Sequence, residues 1–270
     1  MRRPSAFAAV SFLAVLAALA FLLVPVVAVF ADVGLGRLVD ALGEEAAREA
    51  LWLSLRTTLI AVVVVVLVGT PAAYLLALRE FPGRPLVLTA IELPLVMPPA
   101  VAGIALLAAF GPKGIFGPAI EGAGVELVFQ TAGVVVALIF VSAPFFLRAA
   151  VASFEALDPR LLEAARTLGA GPFKAFATVA VPTARGGLAS GVALAWGRAL
   201  GEFGATLLFA GSLQGITRTA PLAIFSDFSE PGGFVSALAL SAVLILVSAA
   251  ILLGVKLLGG ERGLAGGEVR

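Results

Sequence analysis

Long apolar blocks alternate along the chain with short polar stretches. No charged residue occurs from Pro4 to Ala31, Thr57 to Leu78, Leu93 to Pro112, Leu127 to Leu147 or Pro231 to Val255. Each block reaches the roughly 20 apolar residues that cross a bilayer core as a helix. One more block, Gly186 to Thr217, the fifth of six in chain order, is interrupted only by Arg198 and Glu202. The pattern predicts an all-α polytopic membrane protein with six transmembrane helices, near 6–30, 53–78, 87–110, 129–151, 187–210 and 234–258.

Composition agrees. Apolar residues make up 61% of the 270 residues and charged residues only 13%, against about a quarter in soluble domains. Burying six such helices as an ordinary core would need a far larger soluble protein. The chain has no Cys and no His, which removes disulfides, thiolate chemistry, the usual zinc and haem ligands and any His-dependent triad. No metal site and no catalytic centre are expected. A net charge of +1 gives no nucleic-acid surface. Arg2 and Arg3 precede the first block as they would in a signal peptide, and Val29-Phe30-Ala31 resembles a cleavage site. The apolar run is about twice the usual h-region length, so the first helix is expected to be retained.

Charge asymmetry orients the helices. With the N-terminus in the cytoplasm, the cytoplasmic pieces are 1–5, 79–86, 152–186 and 259–270, flanked by Arg148 and Lys256. They hold twelve of the eighteen Lys and Arg. The external pieces 31–52, 111–128 and 211–233, with Arg56 at the edge, hold five Lys and Arg against nine acids. That bias places both chain ends inside.

Two polar stretches carry further pattern. Residues 32–52 space apolar positions helically between acids, which reads as a short external amphipathic helix or a solvated linker. In 152–186, Asp158-Pro159 is a helix start. Leu161, Leu162, Ala165 and Leu168 follow at helical spacing. Gly169 ends that helix and Gly171-Pro172 prevents its continuation. A second short helix is expected at about 173–179, running to Pro182. The whole is a helix–turn–helix on the cytoplasmic surface.

This segment resembles the signature of permease subunits in binding-protein-dependent ABC importers. Glu163-Ala164-Ala165, then Gly169, then Val179, Val181 and Pro182 match its spacing, with Val at two positions where the family has Ile and Leu. The resemblance extends over about 52–258. It implies the type I importer permease fold, with 1–51 as a first helix plus external segment, a coupling segment near 154–186, and a 259–270 tail too short for a regulatory domain. It also implies that Glu163, Ala164, Ala165, Gly169 and Pro182 couple to a separate ATPase. The stretches 92–107 and 197–225 are similar to the molybdate branch of the family, with sulfate/thiosulfate permeases as near relatives. The implied partners are a second copy of the chain, two ATPase subunits, an external solute-binding protein, lipid and an oxyanion. The implied location is a prokaryotic cell membrane. No phosphate-binding Gly-x-x-x-x-Gly-Lys-Ser/Thr pattern occurs, so ATP and Mg are expected on the ATPase chain and no cofactor here. A secondary transporter is the alternative of another class. Its uptake would survive ATP depletion.

Within the fifth block, Ala189, Ala193, Gly197, Gly201 and Ala205 recur every four residues, a spacing for close helix packing. Arg198 and Glu202 are expected on the adjoining face, one turn apart. A charge in a bilayer centre costs about 2.5–3.5 kcal/mol on insertion scales, so the pair either locks helix packing or borders a translocation path. Arg198 suits a dianionic substrate, since a guanidinium donates two hydrogen bonds to an oxyanion. Glu202 would keep such a site weak. In the third block Pro94, Pro98, Pro99 and Gly103 predict a bent or broken helix. Pro98, Pro99, Arg198, Glu202 and the adjacent Phe203 are the candidate path and gate residues. Glu92 is expected simply to reach the interface.

Overall fold

The computed structural model describes residues 6–259; residues 1–5 and 260–270, with nearly all of the expected tail, lie outside it. Every element among the described residues is helical. In order they are α1 (Ala6–Asp32), α2 (Leu35–Gly43), α3 (Glu45–Leu78), α4 (Arg84–Val96), α5 (Pro99–Phe110), α6 (Gly117–Gly122), α7 (Thr131–Glu155), α8 (Pro159–Thr167), α9 (Pro172–Ala175), α10 (Val181–Leu200), α11 (Gly204–Ala210), α12 (Ala220–Ser229) and α13 (Phe234–Gly259). A π-helical turn, Phe176–Ala180, joins α9 to α10.

Four helices are long and apolar enough to cross a membrane unaided: α1, α3, α7 and α13. The third block is broken, as its prolines predict, while the expected course of the fifth helix is corrected. The third block is split into α4 and α5, which meet at an angle of 118°. Pro98 and Pro99 have no amide hydrogen, and a residue before proline is driven out of the helical region. Met97 and Pro98 are accordingly extended, with ψ of 130° and 139°. The fifth block begins earlier than expected, at Val181, and stops at Leu200; a separate α11 follows. The 32–52 segment also divides differently. Extended Glu44 separates α2 from α3, and α3 begins at Glu45.

The centre of the molecule is the packing of α3, α7 and α10. Phe146 and Phe154 of α7 are fully buried there. Glycines make room for them. A Cβ on Gly69 would lie 2.9 Å from the Phe146 ring, and one on Gly191 would lie 3.0 Å from Ala149 Cβ. The connecting segments gather at two ends. At one, Ala47, Ala50 and Leu51 pack on Ala220 and Ala223, and Thr131 Oγ1 donates to the Ile216 carbonyl (2.8 Å). At the other, Leu162 and Ala175 pack with Phe154, Leu76 and Leu157.

Candidate functional site: two broken helices in contact

The breaks in the third and fifth blocks lie against each other, because α5 crosses α11 with glycine on both sides. A Cβ on Gly103 would meet Leu208 Cβ at 2.7 Å and the Ala205 carbonyl oxygen at 3.0 Å. One on Gly204 would meet Pro99 Cβ at 2.6 Å. Only hydrogen fits at these positions, so the Pro98–Pro99 corner seats directly on the start of α11.

The two charges of the fifth block close the second break. Arg198 lies in the last turn of α10. Its Nη2 is 2.5 Å from Glu202 Oε2. Glu202 lies beyond the helix end, and its Oε1 accepts a hydrogen bond from the Ala205 amide (2.7 Å), capping α11. The cation thus sits at the negative end of one helix dipole and the carboxylate at the positive end of the next. The Glu202 side chain is 1% exposed and that of Arg198 is 29% exposed. The carboxylate is structural on one side and charged on the other, while the guanidinium reaches an open edge.

The expected ladder of small residues is corrected here. Ala205 belongs to a different helix from Ala189, Ala193 and Gly197, and Gly201 is the C-cap between them. Ala193 is buried. A Cβ on Gly197 would have nothing within 4 Å, and one on Gly201 would meet only the Gly197 carbonyl, at 3.6 Å. The tightly packed face is displaced by two residues, to Gly187, Gly191, Ala195 and Ala199. Gly187 abuts Ser153, and Ala199 packs with Val134, Leu138 and Ala61. Two residues along a helix is more than half a turn, so this face is opposite the expected one.

Phe203 lies between the breaks, its ring 5.0 Å from that of Phe225. With Gly201, Pro221, Phe228 and Phe234 it lines an apolar groove of about 470 Å³. A buried polar seam on α3, missed by sequence reasoning, runs behind it. Trp196 Nε1 donates to Thr58 Oγ1 (3.1 Å), and the Ala220 amide donates to Ser54 Oγ (2.7 Å). Thr57 and Thr58 also donate to α3 carbonyls one turn back, at 2.7 Å each. Ser54, Thr57 and Thr58 recur at helical spacing where α3 enters its apolar stretch, and that was the available signal. Glu92 is exposed and pairs with Arg148 of α7 at 3.2 Å. A second pair, Arg84–Glu155 at 2.5 Å, also ties α4 to α7. None of α4's residues is buried, and Arg84 Nε also donates to the Leu76 carbonyl of α3 (2.7 Å).

In the 152–186 segment, Asp158 Oδ1 accepts from the Arg160 amide (2.9 Å) and starts α8. Gly169 turns the chain with φ of +84°, a conformation that glycine adopts freely. Glu163, Ala164 and Pro182 are exposed and Ala165 is half-buried. Leu168 and Phe173 stand out at 88% and 80% exposure. The expected second helix, 173–179, is corrected to the four residues of α9 plus the π turn, which runs without a loop into α10. Pro182 has no amide to give the Thr178 carbonyl, and the chain accommodates this with a wider turn in which the Val181 amide reaches back to Phe176. Phe176 within the turn packs its ring 4.9 Å from that of Tyr74. At the opposite end, partial burial pushes the Asp227 carboxyl above its ordinary range. Glu44 and Glu230 push the same way and Arg218 pulls it down.

Comparison with known proteins gives four further observations. Residues 66–258 match the family described as "Binding-protein-dependent transport system inner membrane component". The chain is 41% identical over 258 residues to the "Molybdenum transport system permease protein ModB" of Mycobacterium bovis, covering 90% of this chain and 92% of that one. It is 37% identical over 239 residues to the "Sulfate transport system permease protein CysW" of Synechocystis sp., covering 86% and 87%. Among solved structures, a bacterial alginate ABC transporter in complex with an alginate pentasaccharide-bound periplasmic protein has a chain of the same fold. Its TM-score is 0.73 at 16% identity, over 92% of this chain and 91% of that one.

Proposed function

We propose, from the premise that this chain belongs to the family of binding-protein-dependent transport-system inner-membrane components, that it forms the translocation path of an importer for a tetrahedral oxyanion, molybdate or tungstate. The observation that carries the path is the contact of two broken helices at Pro99 and Gly204, with Arg198 on its open edge. A broken helix pair offers a hinge, and a half-exposed guanidinium offers an anion two hydrogen bonds without a closed cage. The substrate is supported by the 41% identity to a molybdenum permease.

Two copies of the chain would enclose the path on a two-fold axis. The α8–α9 corner, with exposed Glu163, Ala164 and Gly169 and the apolar Leu168 and Phe173, would seat on a separate ATPase. ATP-driven closure of the ATPases would move this corner, and the direct run through the π turn into α10 would carry that motion to Arg198. A loaded binding protein would deliver the anion from the other side of a prokaryotic cytoplasmic membrane.

The test is ATP-driven uptake in proteoliposomes holding the chain, its neighbouring ATPase and its binding protein. Radiolabelled molybdate should accumulate, with tungstate alone among tungstate, sulfate and thiosulfate competing. The identity to a sulfate permease favours a second reading. Equal competition by sulfate would select it.

A further inference from the structure

Two buried donors lie on adjacent residues at the start of α12, and neither makes a hydrogen bond. Thr219 is the N-cap of α12, yet its side chain makes no capping bond. It is 3% exposed and its hydroxyl has no hydrogen-bond partner. Beside it, the Nε of Arg218 is also buried without an acceptor. None of the ion pairs among the described residues includes Arg218. Unpaired buried donors of this kind destabilise a fold, most of all when charged. They also lie at the positive end of a ten-residue helix. The amides there add little, because that of Ala220 is taken by Ser54 and Pro221 has none.

The donors are held in place. The Thr217 amide donates to the Leu213 carbonyl (2.8 Å), and the Leu213 amide donates to Thr217 Oγ1 (2.8 Å). Thr131 clamps the Ile216 carbonyl. Two residues beyond Thr219, Pro221 lines the same groove as Gly201 and Phe203, though Arg218 and Thr219 themselves do not. Asp227 senses the Arg218 charge without pairing with it, and Glu44 and Glu230 lie within reach of Asp227. Those acids would keep any bound anion weakly held.

We propose that Arg218 and the Thr219 hydroxyl form a low-affinity subsite for a tetrahedral oxyanion, which the anion occupies before it reaches the break at Glu202. The half-buried guanidinium is the outer element and the hydroxyl the deeper one. A tetrahedral dianion has enough acceptors to meet both, whereas a halide has no directional pair of oxygens to match the guanidinium fork. This subsite rests on the oxyanion-importer reading above.

The experiment uses the purified permease–ATPase complex in neutral detergent, without its binding protein. Molybdate is titrated through the millimolar range and the thermal unfolding midpoint is followed, with chloride at matched ionic strength as the comparison. The unaltered complex should be stabilised by molybdate and tungstate and not by chloride. Arg218→Gln should weaken the apparent affinity by about tenfold or more, as expected for loss of a charged hydrogen-bond partner. Thr219→Val should weaken it less, and Arg218→Lys should retain part of it. Thr219→Val and Arg218→Lys keep the test decisive if Arg218→Gln does not assemble. No stabilisation by any oxyanion, or equal affinity in the variants, would overturn the subsite. Stabilisation by sulfate and not molybdate, still dependent on Arg218, would keep the subsite and reject the molybdate assignment. Stabilisation only by added phosphatidylglycerol would make the occupant a lipid headgroup and overturn the oxyanion proposal.

Discussion

The two helix breaks that meet at Pro99 and Gly204 are made in different ways. The α4–α5 corner is a backbone break: consecutive prolines remove amide hydrogens, and no side chain is needed to hold the chain open. The α10–α11 break has no proline. It is held by one carboxylate that caps α11 and pairs with Arg198 at the end of α10. The first is insensitive to its surroundings, and the second depends on an ion pair that a nearby charge would perturb. A fixed corner beside an adjustable one is a suitable arrangement for a gate.

The largest expected effect tests the adjustable break. Arg198→Ala should abolish oxyanion uptake while the chain still assembles with its ATPase; normal uptake would remove Arg198 from the path. Glu202→Ala removes the α11 cap and strands the guanidinium. It should destabilise the chain by about 3 kcal/mol, the low end for splitting a buried pair because Arg198 is partly exposed. Chemical unfolding in detergent measures this. Next is the contact between the breaks. Gly204→Ala should cost about 1–3 kcal/mol through overpacking against Pro99, whereas Gly197→Ala, with open space around it, should leave stability unchanged or raise it by up to about 1 kcal/mol. Equal effects at the two glycines would refute the close seating of α11 on the proline corner.

The smallest effect lies outside both breaks. The raised Asp227 carboxyl favours the protonated fold, so its contribution is fully present below the ordinary carboxylate pKa and is lost as pH rises through its elevated value. Asp227→Asn should therefore stabilise the chain slightly at neutral pH, and the difference should vanish in acid. A pH series of unfolding midpoints reads this directly.

The proline corner was legible because proline acts through its own backbone, and Pro98-Pro99 announces a break wherever it falls. The Glu202 break was not legible. Gly201-Glu202-Phe203 is a sequence that a helix tolerates, and only the approach of Pro99 to Gly204 and the capping of Ala205 make the broken form better. The packed face of α10 was misplaced for a related reason. Glycine and alanine recur so often between Gly186 and Ala205 that two registers fit equally well, and the bulk of Phe146 and Ser153 on α7 selects between them. The Asp158 cap and the Gly169 turn were read correctly because both act within a few residues. The π turn after Phe176 was hidden, since the missing amide of Pro182 can be absorbed by a stop or by a wider turn.

The hydrogen bond from Trp196 to Thr58 gives the chain an optical property. Tryptophan occurs only twice, and the other, Trp52, is 68% exposed near the start of α3. With Trp52 replaced by Phe, all indole emission would come from a ring two residues before Arg198, its N–H fixed to a buried hydroxyl. Any rearrangement of the adjustable break would then be recorded as a change in emission wavelength and intensity, with no added dye.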